Sequence, residues 1–161
     1  MQSMSEDYGK VTGVIQSITR GESCCTQIIS VVTGSGVVNI VLSGETRVID
    51  DMRLRVGMRI VAFYNADLPV PLIFPPQYRA ELITVVRRNQ EADLKFFDEK
   101  LVAEDQSLKL NIGPMTSVVT ANGQRYACSP GNAELLVYYM SKTRSIPPVT
   151  TPQKIIVMCP Y

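Results

Sequence analysis

Two stretches of this chain follow one pattern at a spacing of 70 residues. Residues 40–50, IVLSGETRVID, lie over residues 110–120, LNIGPMTSVVT, with Thr46 over Thr116 and Val48-Ile49 over Val118-Val119. A second correspondence follows. Gly57, an apolar run to Tyr64, a proline-rich loop and an apolar segment from Leu82 match Gly131, the run to Tyr138, another proline-rich loop and a segment at Ile155. Self-similarity of this kind marks repeated supersecondary units. The 161 residues therefore divide into a first unit over 1–88, a polar linker over 89–92 and a second unit over 93–161.

Strand patterns fill both units. Val11 to Ile18 alternates and is rich in β-branched residues, Thr19 to Ser23 turns, and Thr26 to Val32 is again β-branched, which predicts a hairpin. Val37 to Leu42 continues past Ser43-Gly44 into Thr46 to Ile49. Glycine inside a strand pattern suggests a bulge or sharp corner, so a long bent third strand is expected. Met58 to Tyr64 and Arg79 to Val86 complete the first unit. In the second, Leu94 to Val102, Leu108 to Ile112, Met115 to Val119, Leu135 to Tyr139 and Lys154 to Cys159 are the strands, with a tight turn at Asn122-Gly123. Residues 132–140 have some helical look, but the repeat places them over a strand. Five strands per unit, with a long connection before the fifth, predict an all-β protein: two tandem small OB-like five-stranded barrels related by internal duplication. An SH3-type barrel is the rival. Residues 50–56 are too few for the helix an OB fold carries between its third and fourth strands.

Charge and composition exclude more than they assign. Lysine and arginine total 16 against 15 acids, a net charge of +1, so no strong field advertises a polyanion partner. Histidine is absent, which removes Ser-His-Asp and Cys-His catalysis and the usual catalytic zinc sites. Cys24 and Cys25 are vicinal, Cys128 lies in a polar stretch and Cys159 ends the last strand; no C-x-x-C spacing occurs. On a strand, Cys24 and Cys25 would face opposite ways, one toward the core. All four are expected to be reduced and structural, with no metal and no cofactor. Adjacent acids such as Asp50-Asp51, Asp98-Glu99 and Glu104-Asp105 fit turns and solvated edges. No apolar run reaches the roughly 20 residues of a spanning helix, and MQSMSEDYGK lacks the features of a leader. The expectation is a cytoplasmic protein, or a secreted or cell-surface one if a signal sequence was removed.

Seven of the ten prolines, Pro69, Pro71, Pro75, Pro76, Pro147, Pro148 and Pro152, sit in the two corresponding loops. Stiff extended segments can present a surface at low entropic cost. The candidate contact residues are Tyr64, Phe74, Tyr78 and Arg79, with Tyr139 and Arg144 in the second unit, for a protein or carbohydrate ligand. The competing reading is that Leu72, Ile73 and Phe74 plug a barrel end or the interface between units while the prolines block edge pairing. Pro75-Pro76-Gln77-Tyr78 also matches the P-P-x-Y ligand of WW domains, although such ligands act from disordered segments and this one leads into a strand.

Residues 54–83, LRVGMRIVAFYNADLPVPLIFPPQYRAELI, resemble a recurring stretch in bacterial β-barrel proteins of unassigned function, in which a strand ending in an aromatic precedes a small-acidic-proline loop and a P-P-Q-Y sequence. The resemblance covers about a fifth of the chain and implies a barrel but no activity. In the second unit, Val149-Thr150-Thr151-Pro152 stands for the Pro-Pro-Gln-Tyr tetrad. Single-stranded nucleic acid is the alternative partner, tracked by Arg47, Arg53, Arg55, Arg59, Arg79, Arg87 and Arg88 with Tyr64 or Tyr78 as stacking platforms. Acids mixed among these arginines argue against it. A carboxylate-dependent enzyme using Asp51, Asp67 or Glu81 is the third reading. A non-catalytic binding module, with no membrane partner, is the first.

Overall fold

The computed structural model of the chain describes residues 7–159, so the outer bounds assigned to the two units, and most of the N-terminal stretch in which a leader would begin, lie outside the described residues. Every element except one 3-10 turn at Ile49–Asp51 is a strand. The chain divides into two compact units between Arg88 and Asn89. Of the expected linker, Glu91 and Ala92 already belong to a strand.

The first unit contains β1 (Tyr8–Arg20), β2 (Gln27–Thr33), β3 (Gly36–Leu42), β4 (Arg47–Val48), β5 (Arg59–Asn65), β6 (Gln77–Arg79) and β7 (Leu82–Val85). They form one seven-stranded sheet in the order β4-β7-β5-β1-β2-β3-β6, open at both ends, so no closed barrel is formed. β1, β2 and β5 run as neighbouring antiparallel strands. Along β1 the period of two is direct: Val11, Gly13 and Ile15 are buried, while Val14 and Gln16 face out. A register shift between Ile15 and Ser17 bends the strand. β5 is buried from Ile60 to Phe63. Val11, Ile15, Ile29, Val31, Ile40, Ile60, Ala62 and Ile83 make the core, each large side chain contributing about 1.5–3 kcal/mol by leaving water.

The expected long third strand is two strands with different partners. β3 stops at Leu42 and pairs with β2, whereas β4 pairs in parallel with β7. The turn between them is held by side chains: Ser43 N–H donates to Thr46 Oγ1 (3.0 Å), and the Thr46 hydroxyl donates to the carbonyl of Ala80 (2.9 Å). Those bonds pull residue 46 toward the β6–β7 joint, which redirects the chain more sharply than a bulge would.

The second unit contains β8 (Glu91–Phe97), β9 (Lys109–Leu110), β10 (Ser117–Thr120), β11 (Ala133–Tyr139), β12 (Val149–Thr150) and β13 (Lys154–Val157). They form a four-stranded sheet, β10-β13-β11-β8, and a two-stranded one, β12-β9. β8 begins three residues before the expected start and ends five before the expected end. The Asp98 carboxylate stops it by accepting from the N–H groups of Lys100 (2.8 Å) and Val102 (3.0 Å), which folds residues 98–102 into a turn. Residues 133–139 form a strand buried from Leu135 to Tyr139. Phe97, Leu108, Leu135, Val137 and Ile155 are at the centre of this unit's core.

One set of pairings recurs. β1 with β5, and β5 with β7, are antiparallel, as are β8 with β11 and β11 with β13. β4 with β7 and β3 with β6 are parallel, as are β10 with β13 and β9 with β12. Thr116 repeats the bonds of Thr46: Gly113 N–H donates to its hydroxyl oxygen (3.1 Å), and the hydroxyl donates to the Pro152 carbonyl (2.7 Å). Each proline loop ends on a cis peptide bond, Phe74-Pro75 in one unit and Ile146-Pro147 in the other. Asn39 N–H donates to the Pro76 carbonyl (2.8 Å) as Lys109 N–H donates to that of Pro148 (2.8 Å). Pro147-Pro148 therefore takes the place of Pro75-Pro76, and Val149-Thr150 that of Gln77-Tyr78. The alignment of the tetrad with residues 149–152 is corrected by two residues.

Candidate functional site

Tyr64, one residue before the end of β5, lies opposite Gly9 of β1. A Cβ at Gly9 would overlap Tyr64 Cζ and its hydroxyl oxygen, so the outer end of the ring occupies space beside β1 that only glycine leaves open. Its other neighbour is Tyr78 of β6, stacked with centroids 4.1 Å apart and planes 19° from parallel. Tyr78 is held there because β6 pairs in parallel with β3, Tyr78 beside Ile40. Burial pushes the Tyr64 hydroxyl pKa above the ordinary tyrosine range, and the adjacent Tyr78 phenol raises it further.

Beside this pair, the loop leaving β5 and strand β6 enclose a groove of about 240 Å³. Tyr64, Asn65, Leu68, Pro69, Val70 and Pro71 line one part of it, and Gln77, Tyr78 and Arg79, with Val41, the other. Arg79, an exposed residue, carries the only charge among the lining side chains. Asn65 Oδ1 accepts from Asp67 N–H (2.9 Å), fixing the first turn of the loop. The walls are aromatic and prolyl with two amides and one guanidinium, a surface suited to holding an extended or planar ligand by contact and hydrogen bonding.

Three of the six candidate contact residues, Tyr64, Tyr78 and Arg79, meet in this groove. Phe74 does not line it: the ring is 94 % exposed, and Leu72 is 103 % exposed. Neither covers the core of its own unit, so the barrel-plug reading of Leu72 and Phe74 is corrected. Tyr139 is a core residue, 5 % exposed, whose hydroxyl donates to the Asp93 carboxylate (2.6 Å). Burial, then the carboxylates of Asp93 and Glu91, hold its pKa far above the ordinary range. Buried and bonded to Asp93, it does not join Tyr64, Tyr78 and Arg79 at the groove. Arg144 is exposed in the loop before β12. Asn65 and Gln77, which line the groove, were not among the candidate contact residues, and their signal was adjacency to Tyr64 and Tyr78; Pro71 was marked only as one of the loop prolines.

The carboxylates of the enzyme reading are dispersed. Asp51 lines a separate open cleft of about 480 Å³ with Met52, Arg53 and Leu54, Asp67 is in the β5–β6 loop, and Glu81 is at the β6–β7 joint, where its carbonyl accepts from Arg47 N–H (2.9 Å). Of the arginines, Arg79 lines the groove and Arg53 the cleft, the latter beside Asp51. Cys24 and Cys25 are both exposed in the β1–β2 turn rather than on a strand, so neither enters the core, and Cys128 and Cys159 are exposed and unbridged.

Comparison with family models, with curated protein sequences and with solved structures finds no match to this chain.

Proposed function

We propose that the chain is a non-catalytic binding module whose first unit holds its ligand in the groove beside the Tyr64–Tyr78 stack. The observation that carries this reading is the stack itself. Two partly buried tyrosines, stacked at 4.1 Å with Tyr64 seated on a glycine, pack against the core on one side and border a groove on the other. Pre-set aromatic walls lose little entropy on binding, and prolines keep the facing loop extended before a ligand arrives.

The finer reading of the fold supports the same site. We interpret each unit as OB-like and the two as products of one duplication, on the strength of the shared pairings and of the Thr46 and Thr116 bonds. The segment 77–85 pairs with β3 through β6 and with β5 through β7, which is the role of a fifth barrel strand. In OB folds the loop after the fourth strand contacts ligand, and the loop at 66–76 holds that position. Protein or carbohydrate ligands fit the groove's single charge better than a nucleic acid strand does, since phosphate tracking needs several cations.

A titration followed by the ring resonances of Tyr64 and Tyr78 tests the reading. The probes are a proline-rich peptide, a chitin tetrasaccharide and an oligothymidylate. One class is expected to saturate with shifts at both rings, and Tyr78→Ala to weaken it by about tenfold or more, the usual effect of removing an aromatic anchor. Shifts at neither ring, or binding indifferent to Tyr78→Ala, would contradict it.

A further inference from the structure

The proline loops do different things to the strand that follows them. In the second unit, Lys109 N–H donates to the Pro148 carbonyl and Asn111 N–H to that of Thr150 (both 2.8 Å). In a parallel ladder successive residues bond to opposite sides, so the N–H and C=O of Val149 point away from β9. Thr143 closes that edge. Its N–H donates to the Val149 carbonyl (2.9 Å), and its hydroxyl oxygen accepts from Val149 N–H (2.9 Å). The Thr150 hydroxyl, bonded to the Ser141 carbonyl, ties the loop down a second time.

In the first unit, Asn39 N–H donates to the Pro76 carbonyl (2.8 Å) and Ala80 N–H to that of Val41 (3.0 Å). By the same alternation, the N–H and C=O of Gln77 point away from β3, on the side where the groove lies. Thr143 is six residues before Val149, and six before Gln77 stands Pro71. Proline has neither an N–H to donate nor a hydroxyl to accept, so it can make neither of the two bonds. Tyr78, in the place of Thr150, has no γ-hydroxyl to tie the loop down and stacks on Tyr64 instead. The loop stands off and the groove opens where the second unit is shut.

We infer that this groove takes an extended polypeptide segment of a partner protein, which pairs with the outward N–H and C=O of Gln77 as Thr143 pairs with Val149. This rests on the groove being the binding site. A peptide is favoured over a sugar because the groove presents a strand edge, whose alternating donor and acceptor match peptide backbone. The prolyl and tyrosyl walls take apolar or prolyl side chains from one side of that segment. Arg79, the sole charge, pairs with an acidic residue of the partner. The inserted segment becomes one more strand at the end of the sheet order, beside β6.

The test is selection of short random peptides displayed on phage against the whole chain, followed by anisotropy measurements on the enriched peptides. Enrichment of sequences rich in proline and aliphatic residues with an acid is expected. Binding should weaken about tenfold or more when alternate peptide amides are N-methylated, because a lost strand bond is uncompensated. Pro71→Thr, which supplies the missing donor and hydroxyl and lets the loop close on Gln77, should weaken it comparably while Tyr64 and Tyr78 stay stacked. If peptides bind with sensitivity to Tyr78→Ala but not to N-methylation or Pro71→Thr, the strand pairing is wrong and the groove reading stands. The strand pairing is equally wrong, and the groove reading equally intact, if only the tetrasaccharide or the oligothymidylate binds with sensitivity to Tyr78→Ala. If no ligand is sensitive to Tyr78→Ala, both are overturned.

Discussion

Phe97→Ala should lower the stability of the chain by about 3–5 kcal/mol, the range for deleting a buried aromatic ring. Phe97 is 0 % exposed, opposes Ala133 across the β8–β11 ladder and packs in the core of the second unit. Its neighbours cannot collapse into the vacated volume without breaking that ladder, which fixes both strands. A unit of this size has only about 4–11 kcal/mol in total at common values per residue. The alanine variant is therefore expected to populate unfolded second-unit chain at ordinary temperatures. Urea denaturation followed by circular dichroism measures this, and a midpoint within experimental error of the parent's would contradict it.

Gly13→Ala should be damaging in a different way, by adding volume rather than removing it. A Cβ at residue 13 would overlap the Val32 carbonyl oxygen and stand 2.7 Å from Val31 Cγ1 and 2.9 Å from the Val32 carbonyl carbon. Two of these atoms are backbone in the neighbouring strand β2, so no rotamer change relieves the clash; β1 and β2 must separate where their pairing begins. Overpacking of this kind costs about 1–3 kcal/mol, and a backbone obstruction belongs at the upper end. Thermal unfolding measures the loss, and faster amide exchange at Val14 and Val32 locates it. Gly44→Ala is the control, because nothing lies within 4 Å of a Cβ there.

The strand content and the position of β11 were legible because period-two alternation is a local signal. What was not legible depended on particular bonds between side chains and backbone. The split of the third strand into β3 and β4 requires the Thr46 hydroxyl to find the carbonyl of Ala80, 34 positions away. The early end of β8 requires the Asp98 carboxylate to gather two downstream N–H groups. Of the residues that aromatic and proline content marked, Tyr64, Tyr78 and Arg79 come together at one groove. Composition could not separate Tyr139, bonded to Asp93 in a core, from Tyr78, stacked at a groove. The difference between Pro71 and Thr143 is plain in the sequence, yet its meaning appears only once Gln77 and Val149 are known to point away from their ladders.

Amide hydrogen exchange at Gln77 and Val149, measured on the ligand-free chain, distinguishes an open strand edge from a closed one. An N–H bonded to Thr143 is protected, and one facing an unclosed edge exchanges with water. Fast exchange is expected at Gln77 and slow exchange at Val149, with Gln77 becoming protected once a groove-binding peptide is added or Pro71→Thr is introduced. Protection of Gln77 equal to that of Val149 in the unliganded protein would mean that the edge is already closed, and would contradict an open groove with a free strand edge.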